Sequence, residues 1–243
     1  MFGEGTGRPI NGVRTSMQNG PMLGMVLTWD RIIVSALELS LFAYREAARE
    51  VLGENYPITT SEIELVTSMP VFESAGMLTD DSGLVDRIVL QYHGAYIRLG
   101  PQLLKPVPGA VAALGSLRAQ GLRLGVVTVK PEVRVRFDIE CCGLAGLIDT
   151  YVSCVEGENV AHPSPVWRCL ANLELEASDV MFVAGRLEEI VAARAAGIES
   201  IVVPADLRQP VSGDDQIRIV ESLSELPGLA SETPRGPPLS EQR

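Results

Sequence analysis

Strand-like and helix-like patterns alternate along most of this sequence, and the alternation constrains its fold more than any other feature. Short apolar runs predict buried strands, and in the second half of the chain single amphipathic segments separate them. Strands joined by single helices pair in parallel, with helices on both faces of the sheet. We therefore expect a Rossmann-like α/β core. The strands are predicted over 22–28, 122–128, 149–154, 180–184 and 199–203, and the helices between them over 132–142, 164–173 and 187–196.

A helical insert is predicted between the first strand and the rest of the core. Residues 37–52 form an amphipathic pattern that stops at Gly53, and a second helical pattern covers 84–98. Between them, Ser61 and Glu64 have the spacing of a capping box at the start of a further helix. Because 36–104 contains no convincing strand, we expect this stretch to be a helical insert, which the resemblance described below implies to be a cap.

The remaining segments define the domain organisation. Residues 21–35 and 105–228 are predicted to form the core, with a last helix over 216–223. Residues 1–20 are polar and Gly-rich, and 229–243 are Pro-rich, so both ends are predicted to be disordered tails.

The charge of the chain argues against two classes of partner. The formal net charge is −11 over 243 residues, without a basic stripe. Nucleic acid and anionic membranes both require clustered Lys and Arg, so neither is an expected partner. No apolar run approaches the roughly 20 residues of a membrane helix, and the N-terminus does not resemble a signal peptide, so the predicted location is the cytoplasm. The four cysteines form no metal-ligand pattern, and we expect them to be reduced.

The ligand site of such a sheet lies beyond the carboxyl ends of its central strands. The loops after Leu27, Val127 and Val183 are therefore the candidates. The surrounding sequence, 106–132 (PVPGAVAALGSLRAQGLRLGVVTVKPE), 162–165 (HPSP) and 180–197 (VMFVAGRLEEIVAARAAG), resembles phosphoglycolate-phosphatase-like members of the haloacid dehalogenase (HAD) superfamily. The resemblance extends from about Gly24 to Leu226 and implies a helical cap after the first strand.

The resemblance implies a role for each residue of the first loop. In the family this strand ends in D-x-D-G-T, where the first Asp attacks phosphorus and the second is the acid/base. Here the segment is T-W-D-R-I, which places Thr28 at the nucleophile position and Asp30 at the acid/base position. A Thr hydroxyl is not ionised at neutral pH, so we expect Thr28 to be inert as a nucleophile. Arg31 stands where the family has a glycine, and Trp29 is hypothesised to fill the space of substrate and metal.

The second and third motifs of the family bind the phosphoryl group. Thr128 matches the family's Ser or Thr, whose hydroxyl binds phosphoryl oxygens, while Val129 replaces the usual Asn. His162 stands in place of the lysine that neutralises phosphate charge. The resemblance therefore makes Thr128 and His162 the candidate phosphate-binding residues.

The fourth motif holds magnesium in the family through G-D-x-x-x-D. Here Gly185 replaces the first acid and Glu189 the second. Asp30, through its backbone carbonyl, and Glu189 are then the remaining candidate magnesium ligands. Magnesium prefers an octahedral set of hard oxygen ligands, so we expect binding to be weak or absent.

Three functions follow from these substitutions. The first is a pseudophosphatase, a pseudoenzyme that binds a phosphorylated small molecule or a protein partner without cleaving phosphate esters. The second is an active hydrolase of phosphate monoesters with atypical active-site residues. The third is an inert subunit retained for assembly through its cap.

Overall fold

The expected parallel sheet is present in the structure, a computed structural model that describes residues 22–58, 70–155, 158, 161–203 and 218–232. Six strands form one sheet in the order β5-β4-β1-β6-β7-β8, and every neighbouring pair is parallel. The predicted α/β class is confirmed. The strands are β1 Gly24–Thr28, β4 Arg123–Thr128, β5 Thr150–Ser153, β6 Val180–Ala184, β7 Glu199–Val202 and β8 Arg218–Ile219.

Both faces of the sheet are covered, so the central strands β1 and β6 are buried along their whole length. All five residues of β1 are buried, and their side chains alternate between two cores. Met25 and Leu27 belong to the core shared with the insert, whereas Val26 packs with Phe182 on the opposite face. The flanking helices are α4 Ala110–Ala119, α5 Glu132–Cys141, α6 Pro163–Leu173, α7 Leu187–Ala195 and α8 Leu226–Glu232.

The segment between β1 and β4 carries the helices α1 Leu37–Leu52, α2 Val71–Gly76 and α3 Ser82–Leu103. Helix α1 packs along α3. A short antiparallel pair, β2 Val34–Ser35 and β3 Lys105–Pro106, connects these helices to the core. The capping box predicted at residues 61 and 64 lies outside the described residues.

Helix α3 begins earlier and ends later than the predicted 84–98. Its start is fixed by Asp81, whose carboxylate accepts hydrogen bonds from the backbone N–H groups of Gly83 and Leu84. Such a cap satisfies amides that the first turn leaves free. The buried side chains of Tyr92 and Tyr96 lie on this helix and reach the core.

The prediction of a helix over 216–223 is wrong. Arg218–Ile219 form strand β8 at the sheet edge, and the helix follows later as α8. Ser222 and Glu225 form a capping box at the start of the helical turn that leads into α8. The apolar side of α8 is buried through Leu226, Leu229 and Ala230. Because α8 continues to Glu232, the tail predicted from residue 229 begins inside a helix; residues 1–21 and 233–243 lie outside the described part.

None of the helices in the described ranges has the length and apolar composition needed to cross a bilayer. The cytoplasmic location stays a prediction.

Gly125 in β4 is required by close packing against α6. A Cβ at this position would press on Cys169 Sγ and lie 3.0 Å from Leu173 Cδ1. We expect Gly125→Ala to lower the free energy of unfolding by about 1–3 kcal/mol through overpacking. Urea unfolding provides the measurement. The matched control is Gly115→Ala on helix α4, where the added Cβ meets no atom within 4 Å apart from its chain neighbours and its own helix backbone, and a gain of up to about 1 kcal/mol is expected. Equal effects at both positions would contradict the packing argument.

Candidate active site

Three parallel strands have their carboxyl ends side by side, and we call this end of the sheet the site edge, as distinct from the edge strand β8. Thr28 ends β1, Thr128 ends β4 and Ala184 ends β6, and β1 pairs with both of the others. The structure therefore brings Thr28, Thr128 and Gly185 to the same edge, as predicted from the loop positions. Both threonine side chains are buried.

The side chain of Thr28 is engaged in a closed hydrogen-bond network. Its hydroxyl donates to Glu189 Oε2 at 2.9 Å, and the N–H of Gly185 donates to the same carboxylate oxygen at 2.8 Å. The N–H of Arg186 also donates to this oxygen, at 3.2 Å, and the guanidinium of Arg186 lies 3.5 Å from Glu189 Oε1. Burial raises the pKa of Glu189, although Arg186 and these hydrogen bonds oppose the shift. Glu189 thus caps the start of α7 and binds Thr28 at the same time.

The loop after β1 has the backbone that the family resemblance implies. Arg31 has φ +70°, in the left-handed region that favours glycine. Its N–H donates to the carbonyl of Val34, which closes the loop. A non-glycine residue in this region costs on the order of 1 kcal/mol, and the closed loop holds it there.

Asp30 does not stand free in this site, because Lys130 binds it. The ammonium of Lys130 lies 2.9 Å from Asp30 Oδ1 and 2.7 Å from Asp138 Oδ2. Asp138 is fully buried and also accepts hydrogen bonds from Trp29 Nε1 and from the Tyr96 hydroxyl, both at 3.0 Å. We call these five residues the Asp138 cluster. Trp29, hypothesised to fill substrate space, is buried and held by this cluster.

The ionisation of Lys130 follows from its two carboxylate neighbours. Burial by itself lowers the pKa of Lys130, but Asp30, Tyr96 and Asp138 raise it well above its ordinary value. For Tyr96, in contrast, burial raises the pKa, so the Tyr96 hydroxyl keeps its proton and donates to Asp138. Lys130 is therefore a fixed positive charge beside Asp30.

The sequence interpretation missed this cluster. Asp138 had a usable signal, because it lies three residues after the buried Val135 and four residues before the buried Cys142, which is the spacing of one helix face. An acid on the apolar face of a helix is a buried charge, and a buried charge needs a partner.

His162 lies elsewhere. It is exposed and caps helix α6, where its Nδ1 accepts the N–H of Ser164 at 3.2 Å. Neither of the two clefts described below includes His162 in its lining. Its predicted role as a phosphate ligand therefore has no support from the geometry of the described residues.

Two adjoining clefts open at this edge of the sheet. The smaller one lies over Thr28, Thr128, Arg186 and Glu189. The larger one, about 70 Å³, lies between the edge and the helical insert, with room for a few waters or a small anion. Both share Asp30, Arg31 and Val129 in their linings.

Arg134 lines the larger cleft and is held by the insert. Its guanidinium lies over the rings of Tyr96 and Tyr92, at 3.6 and 4.8 Å from the ring centroids. Its Nη2 lies 3.1 Å from His93 Nδ1. Burial and the neighbouring Arg134 lower the pKa of His93 to about 4, so His93 is neutral at pH 7 and accepts a hydrogen bond from Arg134.

The residues present do not fit magnesium. Thr28 and Gly185 provide no carboxylate, Asp30 is paired with Lys130, and Glu189 is occupied by three N–H or O–H donors and Arg186. Across the described ranges, no group of three or more His, Cys, Asp or Glu side chains is arranged to hold a metal. A side chain at position 185 would also approach Ile32 Cγ1 to 3.1 Å.

Residues 29–203 match the family model described as haloacid dehalogenase-like hydrolase. The chain belongs to this family. The resemblance to phosphoglycolate-phosphatase-like members, predicted from the motifs, is also confirmed.

Curated relatives of this HAD-family chain include the phosphoglycolate phosphatase of Rhodospirillum rubrum, 34% identical over 124 residues, which are 49% of this chain and 50% of the relative. The plasmid phosphoglycolate phosphatase of Cupriavidus necator is 31% identical over 58% of this chain and 62% of its own length. The chain thus spans about half to two thirds of the length of these relatives.

Solved structures share the fold. CbbY from Rhodobacter sphaeroides in complex with phosphate has a TM-score of 0.72 at 19% identity, covering 84% of this chain and 96% of that one. A predicted phosphoglycolate phosphatase from Haemophilus somnus 129PT has a TM-score of 0.75 at 18% identity, covering 86% of this chain and 97% of that one.

The Asp138 cluster predicts a large and non-additive stability effect. Asp138→Asn removes the charge that compensates Lys130, and we expect it to lower the free energy of unfolding by about 3 kcal/mol. Combining it with Lys130→Met is expected to cost at least about 1 kcal/mol less than the sum of the single changes. Urea unfolding of the three variants tests both values. Arg136→Gln is the control, because the exposed Arg136–Glu132 pair spans 4.0 Å and its loss should cost at most about 0.5 kcal/mol. Strict additivity would rule out a shared network.

The lowered pKa of His93 predicts a specific loss of stability in acid. In the unfolded chain His93 has a pKa near 6.5 and binds a proton below that pH, whereas in the folded chain it binds the proton only near pH 4. The contribution of His93 is therefore constant above pH 6.5, falls as the pH drops from 6.5 to 4, and is constant again below. Allowing for partial exposure, the expected loss is roughly 2 kcal/mol. His93→Gln should remove this component, measured as the difference between the urea stabilities of the two proteins at pH 7.5 and pH 4.5. Parallel pH profiles would contradict it.

Proposed function

We propose that this chain is a phosphoglycolate-phosphatase-like member of the HAD family that binds a phosphorylated small molecule at the sheet edge without aspartyl-phosphate chemistry. The observation that carries the proposal is the state of Thr28. At the tip of β1 the chain has a hydroxyl, which donates its hydrogen bond to Glu189.

The charges around the two clefts support binding of an anion. Arg31, Lys130, Arg134 and Arg186 line them, against the acids Asp30 and Glu189. This local excess of cations stands in a chain with a net charge of −11. A cleft with one sign of charge concentrates ligands of the opposite sign. Thr128 adds a buried hydroxyl, which already accepts the N–H of Lys130 and retains its proton for a ligand oxygen.

The same residues argue against the usual hydrolysis. Phosphoryl transfer requires an in-line nucleophile and cationic stabilisation of the equatorial oxygens. An Asp carboxylate attacks without assistance, but a Thr hydroxyl must first lose its proton. Removal of the nucleophile alone costs on the order of 10⁶-fold in a well-studied hydrolase, so the replacement of Asp by Thr28 is expected to cost most of the rate.

An active hydrolase is the second candidate, and two observations favour it. The curated relatives carry the name phosphoglycolate phosphatase. In addition, Glu189 is 2.9 Å from the Thr28 hydroxyl, and its raised pKa improves it as a base. In that case Thr28 Oγ1 would attack phosphorus, its proton would pass to Glu189, and the ester oxygen would leave and take up a proton. Water would then have to cleave the phosphothreonine.

A single set of assays separates the candidates. The purified full chain is incubated with phosphoglycolate and other phosphate monoesters, with and without magnesium, and released phosphate is measured. Calorimetry measures the binding of phosphoglycolate. We expect binding without phosphate release above the blank. Thr128→Val should weaken binding about tenfold through loss of one hydrogen bond to a charged group.

Thr28→Val is the matched control in both assays. It removes the hydroxyl at nearly constant volume and should leave binding within about threefold, because Thr28 is already bound to Glu189. Phosphate release by the wild type that disappears in both Thr28→Val and Glu189→Gln would replace the proposal by the hydrolase. Absence of any binding would refute both.

A further inference from the structure

Arg134 is a buried cation whose guanidinium is only partly hydrogen-bonded by the described residues. Only 5% of its surface is exposed, and it projects from helix α5 towards the insert. Stacking on Tyr96 and Tyr92 fixes its plane, and the hydrogen bond to His93 uses Nη2. Its other terminal nitrogen, Nη1, is buried and has no hydrogen-bond partner among the described residues.

A buried donor without a partner is costly, and a buried charge without a counter-charge is more so. No carboxylate in the described ranges forms an ion pair with Arg134, whereas Lys130 on the same cleft has two. The rings and the neutral His93 orient the guanidinium but do not neutralise it. An external anion would supply the counter-charge and the acceptor that the described residues do not provide.

The larger cleft has the chemistry to receive that anion. Besides Arg134 it is lined by Arg31 and Lys130, and hydroxyl groups come from Ser35, Ser40 and Tyr92. Its acid, Asp30, is already paired with Lys130. Planar guanidinium groups with hydroxyls nearby suit a carboxylate or a phosphate group.

We propose that Arg134 is the centre of an oxyanion site in the larger cleft, separate from the phosphate position over Thr28 and Thr128. The site takes a small carboxylate or phosphate group, which accepts a hydrogen bond from Arg134 Nη1. It deepens the proposed function and rests on it in one respect: because both clefts share Asp30, Arg31 and Val129, one ligand can place a second anionic group here.

The test is calorimetric titration of the full chain with inorganic phosphate and, separately, with acetate. Arg134→Met keeps an unbranched apolar chain between the tyrosine rings and removes the donor. It is expected to weaken acetate binding, and one of two phosphate-binding steps, at least about tenfold. Thr128→Val should weaken the other phosphate step and leave acetate unchanged.

A second pair of variants avoids dependence on the folding of Arg134→Met. Ser35 is exposed at the cleft, and Ser35→Asp and Ser35→Asn both remove its hydroxyl but differ from each other by one charge. Acetate binding should be at least about threefold weaker in Ser35→Asp than in Ser35→Asn, because only the aspartate repels the anion.

The outcomes separate the Arg134 site from the phosphate position over Thr28 and Thr128. Unchanged binding of acetate and phosphate in both Arg134→Met and Ser35→Asp overturns the Arg134 site. Loss of all phosphate binding in Thr128→Val alone also overturns it and leaves the proposed function standing. If Arg134→Met alone removes phosphate binding, the Arg134 site stands and the proposed phosphate position fails.

The same titrations identify the occupant of the Arg134 site. Acetate binding by the wild type shows that a free oxyanion is sufficient. Binding that is seen only with phosphoglycolate, and is lost in Arg134→Met, assigns the site to a second anionic group of that ligand.

Discussion

The buried carboxylate of Asp138 is the interaction on which the rest of the site depends. Three donors converge on it from three parts of the chain: Trp29 from the loop after β1, Lys130 from the loop after β4, and Tyr96 from the insert. A fully buried charge is tolerated only when its neighbours compensate it, so these parts cannot move apart independently. Asp138 therefore joins the helical insert to the sheet edge.

This arrangement explains why a HAD fold here has a site with unusual charges. Asp30, at the acid/base position, forms an ion pair with Lys130, and Lys130 forms a second ion pair with the buried Asp138. Glu189 is turned back onto Thr28 and two backbone amides, with Arg186 beside it. Both acids are thus satisfied within the chain, and the cations left over at the clefts are Arg31 and Arg134. Such a site attracts anions, because its own carboxylates are no longer available to a cation.

Where the sequence interpretation failed, local patterns were overruled by distant contacts. The helix predicted over 216–223 competes with an open sheet edge, and β8 forms because Arg218–Ile219 pair with β7. His162 matches a family position by sequence and forms a local cap on α6 in the structure, so its role as a phosphate ligand stays a prediction. Arg134 and His93 gave no signal, because these two partners are 41 residues apart in the sequence and lie on different helices.

The succession of strands β1, β4, β5, β6 and β7 with helices between them, their parallel pairing, and the positions of Thr28, Thr128 and Gly185 at the carboxyl ends of these strands were determined by the sequence alone. These follow from periodicity and from the fact that strand ends meet at one edge, which are local properties of the chain. Only the tertiary structure decided which charges meet: Asp138 with Lys130, Glu189 with Thr28, and Arg134 with the tyrosines of α3. The physical reason is that electrostatic energies depend on separation and burial in space, and sequence spacing contains neither.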